Sequence, residues 1–343
     1  MLTILSTACG AMFMPGFFRC LKENEEREIR IIGVDSAPIY YMNQIVDKFY
    51  QVPALSDADY IDVILDICQR ENVDIVFPQI SMELERFAME QERFLKHGIK
   101  LAISNPETLK IANNKLLLYK SMKHFGLETP KFEEINSAED FDEAIHALAY
   151  PQKEVCIKIA DGSGSRGVRI ISERVSPTSI FLNQKPSSLF ISAEDMRKII
   201  SEISGTRTLI AMECLKMPEY TVDLLADNGK VLYIGGRLNI DSLMSIAQIS
   251  EVKMIPEAFN LCKQIVDVLK LDGNIGFDFM FDSDGHPKLT DLNPRITATI
   301  ILFKKAGINF PYMRIKQLLG EPMPFCQLKD GIKLVRKYDD III

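Results

Sequence analysis

Residues 273–295, GNIGFDFMFDSDGHPKLTDLNPR, hold the side chains best suited to chemistry. Asp291, Asn293 and Arg295 stand at alternate positions of the second half, and Asp278 stands within an alternating run in the first. Carboxylate and amide oxygens are the hard ligands that magnesium takes, one or two carboxylates with phosphate oxygens completing the shell. The same residues could instead close as an Arg–Asp network that holds the end of a hairpin. Their spacing is compatible with both.

Such a row needs two strands and a turn. Phe277, Phe279 and Phe281 alternate with Asp278, Met280 and Asp282, the period of a strand. Ser283-Asp284-Gly285-His286 is turn chemistry, and Pro287 opens the return strand. Leu289, Asp291, Asn293 and Arg295 then share one face, with Thr290, Leu292 and Pro294 on the other. With the turn so placed, Asp278 falls opposite Asp291. Like charges in that position cost up to roughly 1 kcal/mol unless a cation lies with them.

A second group lies in residues 154–172, EVCIKIADGSGSRGVRIIS. Lys158 sits mid-strand, and the loop Asp161-Gly162-Ser163-Gly164-Ser165-Arg166-Gly167 leads straight into another strand. Glycines let backbone N–H groups approach phosphate oxygens, and Arg166 adds charge. No Gly-Lys-Ser/Thr and no helix follow, so this is a flap and not a P-loop. The plain alternative is an ordinary hairpin turn.

The first hundred residues alternate strand and helix, which implies a parallel sheet with helices on both faces. Strands are predicted near residues 3–8, 29–34, 49–52, 74–77 and 100–104. Helices are predicted over 58–71, with Ser56 and Asp59 as a capping box, and over 81–96. The loop after the first strand is not G-x-G-x-x-G, and Pro15 interrupts the start of the next helix. A nicotinamide or flavin site at Asp35 is therefore disfavoured. A domain boundary is placed between residues 103 and 112. Residues 173–207 look like an insertion carrying its own helix over 193–203, capped by Ser192. Asp227-Asn228-Gly229 marks a tight hairpin. Helices over 256–270, 297–305 and 311–319 follow, and residues 331–336 and 341–343 read as short closing strands.

The chain has 343 residues, enough for two or three domains, and 40 basic against 47 acidic residues. That balance disfavours a duplex-binding protein, and no basic tract stands out. Seven scattered cysteines, none in C-x-x-C, exclude a disulfide scaffold or a zinc site and fit a reducing cytoplasm. The apolar N-terminus lacks a basic n-region and is broken by Gly10 and Pro15. No stretch is long enough to span a bilayer.

The order of these pieces resembles the ATP-grasp superfamily. A Rossmann-like domain precedes a lysine at a helix start, a lysine-bearing strand with its flap, E-x-L before E-Y-x-V-D, and D-x-N-P-R. The likeness is greatest to single-unit relatives of the carbamoyl phosphate synthase large subunit, and more distant to biotin carboxylase. It covers nearly the whole chain, including the closing GIKLVRKYDDIII. It implies an α/β and α+β fold: a Rossmann-like pre-ATP-grasp domain (1–105), a small lobe with the flap (106–207), a large lobe with the Mg-ATP site (208–320) and closing strands (321–343).

The resemblance also implies roles. Lys115 reaches the α- and β-phosphates, and a lysine at a helix start does call for a compensating anion. Lys158 contacts the phosphates and the adenine edge. Ser163, Gly164, Ser165 and Arg166 close over the phosphates. Glu213 takes the adenine amino group, backbone groups of Cys214 and Leu215 read the rest of the ring, and Glu219 holds the ribose. Asp278, Asp291 and Asn293 hold magnesium, with manganese as a substitute. Arg295 stabilises developing charge, and Arg237 helps orient phosphate or substrate. Asp223 is expected on a solvated strand face.

Three departures stand out. Ile296-Thr297-Ala298-Thr299-Ile300 replaces a glycine-rich turn after Asn-Pro-Arg. The Gly10 loop is poor in glycine. One ATP-grasp unit is present where the full synthase has two, with no amidotransferase part. The expected protein is a cytoplasmic Mg-ATP-dependent carboxylate–amine ligase working through an acyl phosphate. Its partners would be small-molecule carboxylates and amines, without nucleic acid or membrane, and a homodimer is compatible. The alternative is an ATP-binding sensor or assembly subunit without ligase activity.

Overall fold

A computed structural model describes residues 1–162, 164, 166–184, 188–243, 246–338, 340 and 342. They form two compact units. One holds Met1–Ala112, Pro218–Asp278 and Leu292–Ile343; the other holds Asn113–Met217 and Phe279–Asp291.

The first unit opens with β1 (Leu2–Ser6), α1 (Met14–Lys22), β2 (Ile29–Asp35), β3 (Lys48–Gln51), α2 (Tyr60–Arg70), β4 (Ile75–Phe77), α3 (Ser81–Met89), α4 (Gln91–Lys96), β5 (Lys100–Leu101) and α5 (Pro106–Ala112). The strands pair in parallel in the order β3-β2-β1-β4-β5. Ile4 and Leu5 of β1 are both fully buried and belong to different core clusters. A strand covered by helices on both faces has no polar side to alternate with.

Several local expectations change here. The Ser56–Asp59 capping box does not form, and α2 begins at Tyr60. Residues 54–57 close their own turn, Ala54 N donating to Asp57 Oδ2 at 3.0 Å, and Arg86 Nη2 takes the carbonyls of Asp57 and Ala58. Those partners hold the segment out of the helix. The predicted helix over 81–96 is two helices that meet at Glu90. Pro15 does not interrupt α1: it lies in the first turn, where a missing N–H costs nothing. Asp35 accepts from Gly10 N at 2.9 Å and Ala37 N at 3.0 Å, so it closes its own loops.

The second unit comprises α6 (Lys115–His124), β6 (Phe132–Ile135), α7 (Ala138–Ala147), β7 (Val155–Ile159), β8 (Arg169–Ile171), α8 (Pro177–Asn183), β9 (Phe190–Ile191), α9 (Ala193–Ile203) and β10 (Leu209–Glu213). Its sheet runs β6-β10-β7-β8-β9. Ser137 caps α7 in a full capping box, and Ser192 caps α9 as expected. Met196 and Ile200 bury α9 against Phe141, Ile157 and Ala211, so the insertion helix is part of this unit's core.

The chain continues through β11 (Lys216–Asp227), β12 (Lys230–Leu243), β13 (Ile246–Val252), α10 (Pro256–Val268), β14 (Gly273–Phe281), β15 (Pro287–Asn293), α11 (Ile301–Ala306), α12 (Phe310–Leu319) and β16 (Lys333–Val335). Their sheet has the order β15-β14-β11-β12-β13-β16. Asn228 (φ 44°) and Gly229 (φ 90°) make the two-residue turn joining β11 to β12. The turn after β14 closes with Asp282 N donating to His286 O at 3.0 Å. The closing strand is shorter than predicted, and positions 341 and 343 lie outside the described residues.

The helix predicted over 297–305 begins only at Ile301. Thr297 Oγ1 donates to Asp223 Oδ1 at 2.7 Å, and Ala298 O accepts from Arg336 Nη2 at 2.8 Å. These partners hold Thr297 and Ala298 out of the helix, and residues 298–300 form a turn that leads into it. A Cβ on Gly276 would fall 2.3 Å from Thr297 Cγ2. The glycine absent from the loop after Arg295 therefore has a counterpart on β14, where it admits the threonine.

Candidate functional site

In the second unit Lys115 is the first residue of α6, and the Asn114 side chain caps the helix by accepting from Leu117 N at 2.9 Å. Lys115 N donates to Ala160 O at 2.8 Å, and Nζ donates to Gly162 O at 2.7 Å. Nζ also pairs with Asp291 Oδ1 at 3.2 Å. A cation at a helix start opposes the macrodipole, and Asp291 is the anion that offsets it. The demand that the sequence placed on a ligand phosphate is thus met here by a carboxylate of the same unit. Lys158 Nζ lies 3.4 Å from Thr290 O.

Tyr119, one turn along α6 from Lys115, was not legible as a site residue. Its hydroxyl lies 3.1 Å from Leu289 O and 3.0 Å from Thr290 O, and the ring is 1% exposed. Burial pushes this phenol well above its ordinary range, so it stays a donor. It holds the backbone immediately before Asp291. The only signal in the sequence is its position four residues after Lys115, on the same helix face. Tyr119→Phe should cost about 1–3 kcal/mol, because the buried hydrogen bond that the phenol shares between these carbonyls is lost. Chemical denaturation would measure it; unchanged stability would mean the carbonyls are satisfied otherwise.

Glu213 ends β10 and clasps Lys131: Glu213 N donates to Lys131 O at 3.0 Å, and Lys131 N donates to Glu213 Oε1 at 2.9 Å. Cys214 and Leu215 follow in the connection to β11. Burial pushes the Cys214 thiol up to about 11, which removes it as a nucleophile. In the flap, Gly164 (φ 62°) and Gly167 (φ 69°) are left-handed, and a Cβ on Gly167 would meet Ile159 Cδ1 at 2.3 Å. Arg166 is exposed. Ser163 and Ser165 lie outside the described residues.

In the first unit Glu219, Asp278 and Asn293 come together through residues the sequence reading did not name. Asn293 Nδ2 donates to Asp278 Oδ2 at 2.8 Å, and Thr221 Oγ1 donates to Asp278 Oδ1 at 2.7 Å. Asn239 Nδ2 donates to Glu219 Oε1 at 2.7 Å and lies 3.0 Å from Thr221 Oγ1. Arg295 Nε donates to Ser81 Oγ at the start of α3 (3.1 Å), and Nη1 donates to Ile296 O (3.0 Å).

Asp223 corrects the expectation of a solvated face. It is 3% exposed, forms an ion pair with Arg237, which is 4% exposed, and accepts from Thr297. Burial pushes its carboxyl up, while Arg237, Thr297 and Arg295 pull it down. The Arg237 guanidinium lies 5.9 Å from the Phe303 ring centroid, and its Nε has no partner among the described residues. Strand alternation placed Asp223 on the face of Glu219 and Thr221; the residues after Arg295 and α11 are what cover it.

The donor chemistry suits magnesium. Asn293 directs its amide nitrogen to Asp278, which leaves its oxygen as the ligand atom. Among the described residues no group of three or more His, Cys, Asp or Glu side chains is arranged to hold a metal. Magnesium tolerates so sparse a set because phosphate oxygens and water complete its shell. No described helix is long and apolar enough to cross a membrane.

Known proteins bear on both regions. Residues 205–338 match the family described as "ATP-grasp in the biosynthetic pathway with Ter operon", and residues 4–102 match the PylC-like N-terminal domain. The carbamoyl phosphate synthase large chain of Deinococcus radiodurans is 22% identical over 92% of this chain, which spans 30% of that relative's length. Biotin carboxylase from Campylobacter jejuni, solved as a β-γ-ATP complex, superposes with a TM-score of 0.71 at 18% identity, covering 95% of this chain and 73% of that one. L-amino acid ligase from Bacillus licheniformis gives a TM-score of 0.65 at 16% identity, covering 93% and 74%.

Proposed function

We propose that this ATP-grasp protein is a Mg-ATP-dependent ligase that joins a small-molecule carboxylate to an amine through an acyl phosphate. The observation that carries the reading is the Asn293–Asp278 pair at 2.8 Å, an amide and a carboxylate oriented as hard oxygen ligands on neighbouring strands. The fold shared with an L-amino acid ligase and an ATP-bound biotin carboxylase supports it. The synthase relatives are more than three times as long, so carbamoyl phosphate formation is not assigned to this chain.

The roles follow from the chemistry of each group. Lys115, Lys158, Gly164 and Arg166, with Ser163 and Ser165, bind the phosphates of ATP. Glu213, with backbone groups of Cys214 and Leu215, binds adenine, and Glu219 binds the ribose. Asp278, Asp291 and Asn293 hold the metal, whose charge neutralises the phosphate oxygens. The substrate carboxylate attacks the γ-phosphorus; the bond to the β–γ bridging oxygen breaks and ADP leaves. The amine then attacks the acyl carbon, and phosphate leaves as the amide forms. Arg295 meets the charge that develops in these steps. No side-chain nucleophile is required, and positioning with charge neutralisation supplies the rate. A homodimer in the cytoplasm is the setting we assign.

ADP release in the presence of pooled carboxylates and amines tests the reading. Release that requires one member of each pool supports it. Tight ATP binding with no release from any pair would instead support a nucleotide sensor. Nucleotide choice gives a separate expectation. The Glu213 carboxylate can accept from the adenine amino group, where guanine presents a carbonyl oxygen. ATP should therefore bind at least tenfold more tightly than GTP, about 1.4 kcal/mol. Equal affinities in calorimetric titrations would remove Glu213 from the adenine role.

A further inference from the structure

One row of side chains crosses five neighbouring strands of the larger sheet, β15, β14, β11, β12 and β13. Glu219 lies opposite Asn239, and Asn239 opposite Ser250, in register. Thr221 lies two residues along β11 from Glu219, on the same face. The hydrogen bonds run in one sense. Ser250 Oγ donates to Asn239 Oδ1 at 3.1 Å, which fixes the amide so that Nδ2 faces Glu219 and Thr221. Thr221 Oγ1 receives that nitrogen at 3.0 Å and donates its own hydrogen to Asp278 Oδ1 at 2.7 Å. Asn293 then donates to the other Asp278 oxygen.

Asn239, Thr221 and Ser250 are 2%, 1% and 0% exposed, so these side chains meet protein and not solvent. A buried polar side chain without its partners costs about 1–3 kcal/mol, so apolar residues would serve a purely structural sheet better. Three polar side chains at these positions need a reason. They join two carboxylates that carry separate roles in the proposed site.

We propose that Asn239 and Thr221 are positioning residues that tie Glu219 to Asp278, so that nucleotide and metal bind as one coupled event. Asn239 holds one Glu219 oxygen and keeps Thr221 oriented. Thr221 holds one Asp278 oxygen and so fixes the orientation of that carboxylate. Ordering Glu219 against a ribose hydroxyl therefore orders Asp278, and the reverse holds by reciprocity. The inference rests on the metal and ribose roles assigned above.

The test is ADP binding to the full chain by calorimetry, with and without Mg²⁺. The quantity read is the ratio of the two affinities. Thr221→Val keeps the shape and removes the donor. It should reduce the Mg²⁺ enhancement by roughly tenfold, the lower end for losing a partner that orients a metal ligand. Metal-free ADP affinity should stay within about twofold, since a relay acts only on the coupling. Thr221→Ser should restore the enhancement, and Ser250→Ala, at the far end of the row, should lower it in the same direction. An unaltered enhancement in Thr221→Val would overturn the relay, as would equal loss in the serine variant. If the unaltered protein binds ADP with no effect of Mg²⁺, the site assignment fails, and the relay with it.

Discussion

Arg295→Ala should bind ATP–Mg²⁺ nearly as well as the unaltered protein and turn it over roughly 10²–10³ times more slowly. The guanidinium is held by Ser81 and by the carbonyl of Ile296, on the loop after the strand that carries Asn293. A group so fixed contributes little to ground-state affinity if, as proposed, it meets charge that appears only during reaction. Asp291→Asn should behave differently. It removes a charge from the proposed metal set and takes the Asp291 carboxylate from Lys115, so metal-dependent ATP affinity and turnover should both fall. Nucleotide affinity and ADP release, measured on both variants, separate these outcomes. Loss of ATP binding in Arg295→Ala would make the arginine a structural clamp. Normal binding and turnover would move the catalytic role to Arg166, since Arg237 is buried against Asp223.

The second large effect is on stability. Arg237→Met leaves Asp223 buried without its cation and should destabilise the fold by about 3–5 kcal/mol. Combining it with Asp223→Leu should recover most of the loss, because a buried pair can be replaced by apolar side chains at small net cost. Chemical denaturation of the single and double variants completes the cycle. No recovery in the double variant would show that the pair is needed for more than mutual neutralisation. The link from Asp223 to Thr297 makes the loop after Arg295 the place to look. Turnover of the double variant would then report on that loop, since Arg237 is too buried to meet a substrate directly.

Much of the architecture was determined by local patterning. The Phe277, Phe279 and Phe281 alternation gave β14, the turn residues and Pro287 gave its partner strand, and Asn228-Gly229 gave the β11–β12 turn. The strand–helix alternation of the first hundred residues gave a parallel sheet. These signals are readable because strand period, turn conformation and helix capping are properties of a few consecutive residues. Local signals failed where distant partners competed: Arg86, bonded to the carbonyls of Asp57 and Ala58, delayed α2 to Tyr60, and Asp223 and Arg336 delayed α11 to Ile301.

Alternation along β11 put Glu219, Thr221 and Asp223 on one face, but no periodicity says which strand lies alongside or what covers that face. Only tertiary structure decided that Asp223 is buried against Arg237 and Thr297 while Glu219 is half-buried two pairs away. Only strand order placed Asn239 and Ser250 beside Glu219, and Thr221 against Asp278, 57 residues later in the chain. The sequence named the charged residues that could do chemistry because charge in an apolar strand is conspicuous. It could not name the neutral side chains that aim them. A threonine, an asparagine and a serine look ordinary in any strand until cross-strand register brings their hydrogen bonds into line.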